Sequence, residues 1–244
     1  MTAAYGQMQS DASEVDLEYC VGRGPDAAYY IAPQGRTALV APDDGTFLAA
    51  FDEDIAVELQ KLRRDLYFVH AAVLTYRAAV MLVAQPGGGK STLTWALLHH
   101  GFGFLSDELA PVDLDSLEVH PYPRTLALKR EPPQSYPLPG RTLTTSRSLR
   151  VQNVPGIVGS APVRLGAVVF VHYSPEASRP TIRRITTAEA GARLYANALN
   201  PLAHAADGLD GAVRITAACP CYDLISADLS VTSALVAETL QWRR

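Results

Sequence analysis

Hydrophobic and polar positions alternate along this chain with two different periods. Val15–Val21, Tyr29–Ala32, Thr37–Ala41 and Thr46–Ala50 are short runs rich in β-branched and aromatic residues, separated by GRGPD, PQG and PDDG. That pattern predicts a small antiparallel sheet. Glu53–Arg64 changes period: Ile55, Leu59 and Leu62 share one helical face, with acids leading and bases trailing as the helix dipole favours. Leu66–Leu74 and Tyr76–Ala84 then read as strands, followed by a glycine-rich loop and a helix over Ser91–His100. Phe102–Leu105, Ala110–Asp113 and Arg124–Lys129 read as further short strands. Glu131–Ser160, rich in Pro, Gly, Ser, Thr and Arg, has no clear period and is expected to be disordered or a functional flap. The pattern resumes with a buried strand over Val163–His172, a helix over Thr187–Asn200, strands over Val213–Ala217 and Cys221–Ala227, and a terminal helix over Asp228–Trp242 capped by Asp228 or Ser230. Residues 1–14 are polar and expected to fray. No internal repeat or low-complexity segment is present.

Composition narrows the class. In 244 residues, 48% are hydrophobic and 19% charged, a balance that supports a packed core without covalent staples. Twenty-one basic against 25 acidic residues give a net charge of −4, and no Lys/Arg block supplies the basic footprint that nucleic-acid binding needs. Three cysteines, Cys20, Cys219 and Cys221, are too few for a disulfide framework and suit a reducing compartment. The CPC pair reads as ordinary buried thiols rather than a metal or redox site, because no second Cys or His pair lies at ligand spacing. The first residues lack a basic start and an apolar run, and the longest apolar stretch, Ala78–Ala84, is far too short to span a bilayer. A cytoplasmic protein without membrane contact is the expectation.

The chemistry concentrates in Val80–Leu98, VMLVAQPGGGKSTLTWALL. A strand stops at Ala84, Gly87, Gly88 and Gly89 follow, and Lys90, Ser91 and Thr92 open a helix. Glycines let successive main-chain amides turn toward phosphate oxygens without Cβ obstruction, and a helix N-terminus adds partial positive charge. Lys90 is placed to reach β- and γ-phosphates and Ser91 to ligate Mg²⁺. The pattern is G-x-x-x-x-G-K-[ST], with Ala84 in place of the first glycine. The alternative, a Gly-rich turn with an incidental lysine, does not account for strand, GGGKST and helix in that order.

Asp107 and Glu108 follow the next short strand. A right-handed βαβ crossover would return that strand's C-terminal end to the edge carrying the loop. One carboxylate could then hold Mg²⁺ while the other takes a proton from an attacking hydroxyl. An acidic turn in solvent is the competing reading. No later apolar strand ends in a comparable acid, since Val168–Val171 runs into His172 and Tyr173, and no LSGGQ-like signature of transport ATPases occurs.

The run FVHAAVLTYRAAVMLVAQPGGGKSTLTWALLHHGFGFLSDELAPVD (68–113) resembles the catalytic domain of HPr kinase/phosphorylase, and more closely the HPr kinase-related proteins that include kinases of lasso-peptide precursors. The shared features are His70 on the strand before the loop, the loop itself, and the Asp107-Glu108 pair, where HPr kinase proper carries Asp-Asp. HPYPRTLALK (120–129), NALN (197–200) and CPCYDLISADL (219–229) are loosely similar to segments of those kinases. The likeness spans about 66–244, and residues 1–65 do not resemble the N-terminal domain of HPr kinase.

The resemblance implies an α/β fold with a P-loop-containing, PEP carboxykinase-like core (66–244) and a small N-terminal β-rich segment (1–65). It also implies an ATP- and Mg²⁺-dependent kinase acting on a serine hydroxyl of a peptide or protein. By the same resemblance the nucleotide sits on Gly87, Gly88, Gly89, Lys90, Ser91 and Thr92, Asp107 is the general base, Glu108 joins Ser91 on the metal, and His70 lies near the phosphates or the base. For His70, a structural role on a half-buried strand is an equal alternative. Arg124 and Lys129 are candidates to supply charge to the transferring group, with solvated strand-edge charges as the other reading. Arg141, Arg147 and Arg150 are expected on a solvated flap, with closure over nucleotide or acceptor as the alternative, and Tyr195 and Trp95 in the core rather than stacking on adenine. HPr kinases are hexamers, so a homo-oligomer is implied by the resemblance alone. Two other functions remain open: a nucleotide-binding or ATPase component of a biosynthetic assembly, and a small-metabolite kinase. The second is disfavoured because 131–160 does not read as an arginine-bearing helical lid.

Overall fold

The apolar runs flanking the glycine-rich loop become the middle of a nine-stranded mixed sheet. The computed structural model describes residues 5–9, 11, 13–24, 28–33, 35–139, 142–145, 149–151, 154–156 and 159–240. Its elements in chain order are β1 (Tyr19–Arg23), β2 (Tyr29–Pro33), β3 (Leu39–Ala41), α1 (Asp44–Leu62), β4 (Leu66–His70), β5 (Ala72–Tyr76), β6 (Ala78–Val83), α2 (Lys90–His99), β7 (Gly103–Ser106) and β8 (Leu109–Asp113). They continue with β9 (Glu118–Val119), β10 (Leu126–Leu128), β11 (Thr142–Thr144), β12 (Leu149–Val151), β13 (Val163–Tyr173), β14 (Thr181–Arg184), α3 (Thr187–Tyr195), α4 (Leu209–Ala218), β15 (Cys221–Ser226) and α5 (Leu229–Leu240).

The main sheet runs β4-β8-β9-β13-β6-β5-β7, with β15 beside β13 and β14 beside β15. β13 lies parallel to both β6 and β15, while β5 is antiparallel to β6 and to β7. β6 and β7 therefore point the same way with β5 between them. Their connection through α2 brings the end of β7 back to the edge where the glycine-rich loop leaves β6. Side chains alternate across the sheet as the pleat requires. Leu74, Val80, Leu82 and Val169 pack under α2 and α5, and Val73, Met81, Val83 and Val168 pack under α3 and α4. Both faces are covered, which is why the central strands are continuously apolar.

The N-terminal part is an antiparallel meander, β1-β2-β3, closed by α1 through Ile31, Ala41, Phe47, Leu48 and Phe51. Here the sequence pattern misleads. Thr46–Ala50 is not a fourth strand but the start of α1, because the Asp43 carboxylate caps the main-chain amide of Thr46 at 2.9 Å. PDDG is thus a helix cap rather than a hairpin turn. Nor does the described part of 1–14 simply fray: the Tyr5 ring meets Phe51 edge-on at 5.4 Å, and Met8 packs beside Leu66 and Phe68.

Three further expectations change. Val213–Ala217 lies within α4, where Ala212, Ile215 and Thr216 form a buried helical face; packing against α3 outweighs the β-branched composition. Leu66–Leu74 is two strands that part at Ala71, β4 joining β8 and β5 joining β6 and β7. The helix expected over Thr187–Asn200 ends at Tyr195, and Asn197–Asn200 instead runs along β4. Within 131–160, β11 and β12 form a small sheet with β10. Arg141, Arg147 and Trp242 lie outside the described residues. Asp228, not Ser230, caps α5 by accepting from the Val231 amide at 3.0 Å. Trp95 is core at 1% exposure, but Tyr195 is 37% exposed. Among the described residues no helix is long and apolar enough to cross a membrane.

Candidate active site

The loop between β6 and α2 bends through two left-handed glycines, Gly87 (φ 84°) and Gly89 (φ 90°). Gly88 is tightly enclosed: a Cβ there would sit 3.0 Å from the Gln85 carbonyl oxygen and 3.1 Å from the Ala84 Cβ, so its neighbours would have to give way slightly. Ala84 itself is buried and has no positive φ, so the turn does not depend on glycine at that position. The Gly88 carbonyl accepts from the Tyr173 amide at 3.1 Å, which ties the loop to the end of β13. Gly89 caps α2 without any side-chain bond, leaving the first-turn amides uncommitted to a capping side chain. Lys90 is buried, and Ser91 and Thr92 are half-buried on the first turn of that helix.

Asp107 stands directly against this turn. The Lys90 ammonium donates to its main-chain carbonyl at 2.7 Å, and the Ser91 hydroxyl donates to its Oδ2 at 3.1 Å. Its side chain is 2% exposed, and Oδ1 has no hydrogen-bond partner. Burial pushes the Asp107 carboxyl above its ordinary range, against the lowering effect of the Lys90 charge. An orphaned buried oxygen beside a lysine and a serine hydroxyl is a place for a cation, a proton or a ligand donor.

Glu108 turns the other way and is half-exposed. Its Oε1 lies 3.2 Å from His70 Nδ1 and its Oε2 accepts from Arg124 Nη2 at 3.0 Å. Partial burial alone would raise this carboxyl, but the His70 hydrogen bond and the charges of Lys90 and Arg124 outweigh it and hold the pKa at about 2. The break at Ala71 creates the contact: the Ala71 amide donates to the Glu108 carbonyl at 3.3 Å, so His70 ends β4 beside the acidic turn. From the other side Asn197 accepts the His70 amide at 2.9 Å, and the Asn200 amide group clasps the Phe68 N–H and the Leu66 carbonyl. The NALN stretch thus braces the strand that carries His70.

Arg124 is buried rather than a solvated edge charge, and Arg150 is buried rather than part of an exposed flap; each is 5% exposed. Both guanidinium groups bind one carboxylate oxygen, Asp52 Oδ2 on α1, Arg150 at 2.6 Å. The Tyr5 hydroxyl donates to Asp52 Oδ1. Arg124 is held well above the usual arginine range: burial lowers its pKa, but the Asp52 and Glu108 charges more than offset that. Lys129 is exposed. Asp52 carries no signal in the sequence that would select it. It sits among Glu53 and Asp54 on a helix, where an acidic cluster reads as a solvated face.

The CPC thiols bond to carbonyls at the end of α4, Cys219 to Ile215 and Cys221 to Thr216. Among the described residues no three His, Cys, Asp or Glu side chains are grouped to hold a metal. The oxygens of Ser91, Asp107 and Glu108 are nevertheless the hard donors that Mg²⁺ takes, usually one or two from protein with the rest from water and phosphate. The unpartnered Asp107 Oδ1 beside the Ser91 hydroxyl fits that requirement.

No protein-family model matches this chain, and no curated protein matches it. Among solved structures, the HPr(Ser) kinase/phosphatase from Coxiella burnetii is similar at a TM-score of 0.34 and 12% identity, over 70% of this chain and 95% of that one. At a TM-score of that size the likeness decides neither fold family nor site.

Proposed function

We propose that this chain is an ATP- and Mg²⁺-dependent phosphotransferase that moves the γ-phosphoryl group to a serine hydroxyl of a peptide or protein, ribosomal peptide precursors being one acceptor class to test. One observation carries the reading: Asp107, buried and with its Oδ1 free, is held against a glycine-rich helix N-terminus by Lys90 on its main-chain carbonyl and Ser91 on its Oδ2. A strand–GGGKST–helix turn supports nucleotide phosphates, and an acid fixed at its mouth supports transfer.

In this reading the amides of Gly87–Thr92 and the Lys90 ammonium orient the phosphate tail. Asp107 accepts the proton of the incoming hydroxyl, a task suited to a carboxyl whose burial raises its basicity. Glu108, held anionic, would hold the metal together with Ser91. Bound Mg²⁺ would neutralise phosphate charge. Arg124 adds a fixed positive charge next to Glu108.

The Ser91–Asp107 hydrogen bond favours a second division of labour, with Asp107 on the metal beside Ser91 and the His70–Glu108 pair taking the proton. Mg²⁺ titration of the variants separates the two. If Asp107 is the base, Asp107→Asn lowers turnover at an unchanged Mg²⁺ requirement; if it is the metal ligand, the requirement rises.

Mass spectrometry of serine-containing candidate peptides after incubation with the chain, ATP and Mg²⁺ tests the function itself. The expected result is a phosphate-sized gain on a serine. Release of inorganic phosphate alone across all acceptors would replace this reading with an ATPase component, and no nucleotide binding would remove both.

A further inference from the structure

We infer that Asp52 is a positioning residue for the acidic pair, and hence that the N-terminal helix is an integral part of the active site rather than an appendage to it. The inference rests on the phosphotransferase reading for its kinetic consequence, but not for the coupling itself. The geometry is a continuous ionic chain: Arg150 to Asp52, Asp52 to Arg124, Arg124 to Glu108 and Glu108 to His70. It joins the small β10–β12 sheet, α1, the approach to β10, the acidic turn and the end of β4.

Arg124 has one guanidinium nitrogen on each carboxylate, Nη1 on Asp52 and Nη2 on Glu108. A planar guanidinium cannot turn toward one partner without moving relative to the other. Asp52 therefore sets the orientation from which Arg124 grips Glu108. Asp52 is also the carboxylate shared by the two buried arginines, whose Nε atoms, with Arg150 Nη1, have no acceptor. Without it, Arg124 and Arg150 lose the anion that holds them together, and Arg124 is left to Glu108 alone. The Tyr5 hydroxyl on the second Asp52 oxygen fixes the carboxylate plane. None of these ion pairs includes a residue of Gly87–Thr92, so the effect falls first on the acidic turn rather than on the nucleotide loop.

The experiment uses the full chain and compares Asp52→Asn, Asp52→Glu and Asp54→Asn. Asp54 anchors the same helix through Tyr19 and Arg36, away from Arg124, and serves as the control for loosening that unit. The expected result for Asp52→Asn is a fall in kcat for ATP turnover on the order of 10- to 100-fold, at a KM for ATP within about twofold. Asp52→Glu recovers part of kcat, and Asp54→Asn keeps it. Wild-type kcat in Asp52→Asn, or an equal loss in Asp54→Asn, overturns the inference. A double-mutant cycle of Asp52→Asn with Glu108→Gln, read as shifts in the thermal midpoint, needs no turnover at all. Non-additive shifts support the coupling and additive shifts overturn it. A wild-type chain that turns over no ATP would sink the phosphotransferase reading and leave the cycle to decide the coupling.

Discussion

The glycine-rich turn and the arginine network meet at one acidic pair, yet they are built in opposite ways. The turn is local: strand, glycines, Lys90 and Ser91 are contiguous, and Asp107 returns after a single crossover, 17 residues beyond Lys90. The network is assembled from far apart, with Asp52 lying 72 residues from Arg124 and 98 from Arg150. The turn carries a buried oxygen without a partner, Asp107 Oδ1, and a helix start without a side-chain cap, both of which cost stability. The network also leaves three buried donors unpaired, the Nε atoms of Arg124 and Arg150 and Arg150 Nη1, but its charges are paired across distant segments and tie them together. Function and fold stability should therefore separate when the two regions are broken in turn.

The largest effect is expected in the turn. Lys90→Ala should reduce ATP turnover on the order of 100-fold or more, measured as phosphate release or transfer, because in the proposed reading it removes the buried cation that orients the phosphate tail. Its thermal midpoint should move far less than that of a network variant.

Arg124→Ala should be the reverse, costing about 3–5 kcal/mol of stability in denaturant unfolding, since it leaves buried carboxylate charge at Asp52 with a single arginine. An equal loss of stability from Lys90→Ala would erase the contrast between the two regions.

Asp107→Asn sharpens it further. Because burial raises the Asp107 pKa above its unfolded value, ionisation costs the native state stability as pH rises through the folded pKa, and that cost is absent below the unfolded pKa of about 3.9. The amide variant should thus have a higher thermal midpoint than wild type at neutral pH, with the gap closing in acid. Glu108 has the opposite sign. Its pKa is held near 2, so its contribution is present above the ordinary value of 4.5 and is lost as pH falls toward 2. Glu108→Gln should accordingly be less stable than wild type near neutrality and converge with it in strong acid. The smallest effect tests α1 alone: Asp43→Ala should cost about 1 kcal/mol through loss of the cap on Thr46.

The local region was legible in the sequence because its chemistry is written in adjacent letters. Strand, GGGKST, helix and the returning Asp-Glu needed only the periodicity of one βαβ unit. Even the departure at Ala84 is accounted for by the fold, since that residue does not occupy the left-handed conformation that demands glycine. The division of the carboxylates was not legible. Spacing placed both acids near the loop, but only side-chain directions show Asp107 on Ser91 and Glu108 on His70 and Arg124.

The network was invisible for a different reason. Arg150 reads as a surface charge and Arg124 either as a strand-edge charge or as a charge for the transferring group, because charge is normally solvated; their burial is explained only by a carboxylate from a helix placed in a separate segment. The same helix was cut short because Asp43-Asp44-Gly45 serves equally as a turn or a cap. Tertiary packing also decided Val213–Ala217, where Ile215 and Thr216 lie on the inner face of α4 while Val213 is exposed.

The most direct measurement of the central claim follows label from γ-labelled ATP with the full chain and Mg²⁺, in wild type and Asp107→Asn, with nucleotide affinity measured on the same samples. The account predicts that both proteins bind ATP with comparable affinity, and that transfer or release of label falls on the order of 100-fold or more in the variant. Equal label movement by both proteins, or a wild-type chain that binds no ATP, would contradict it.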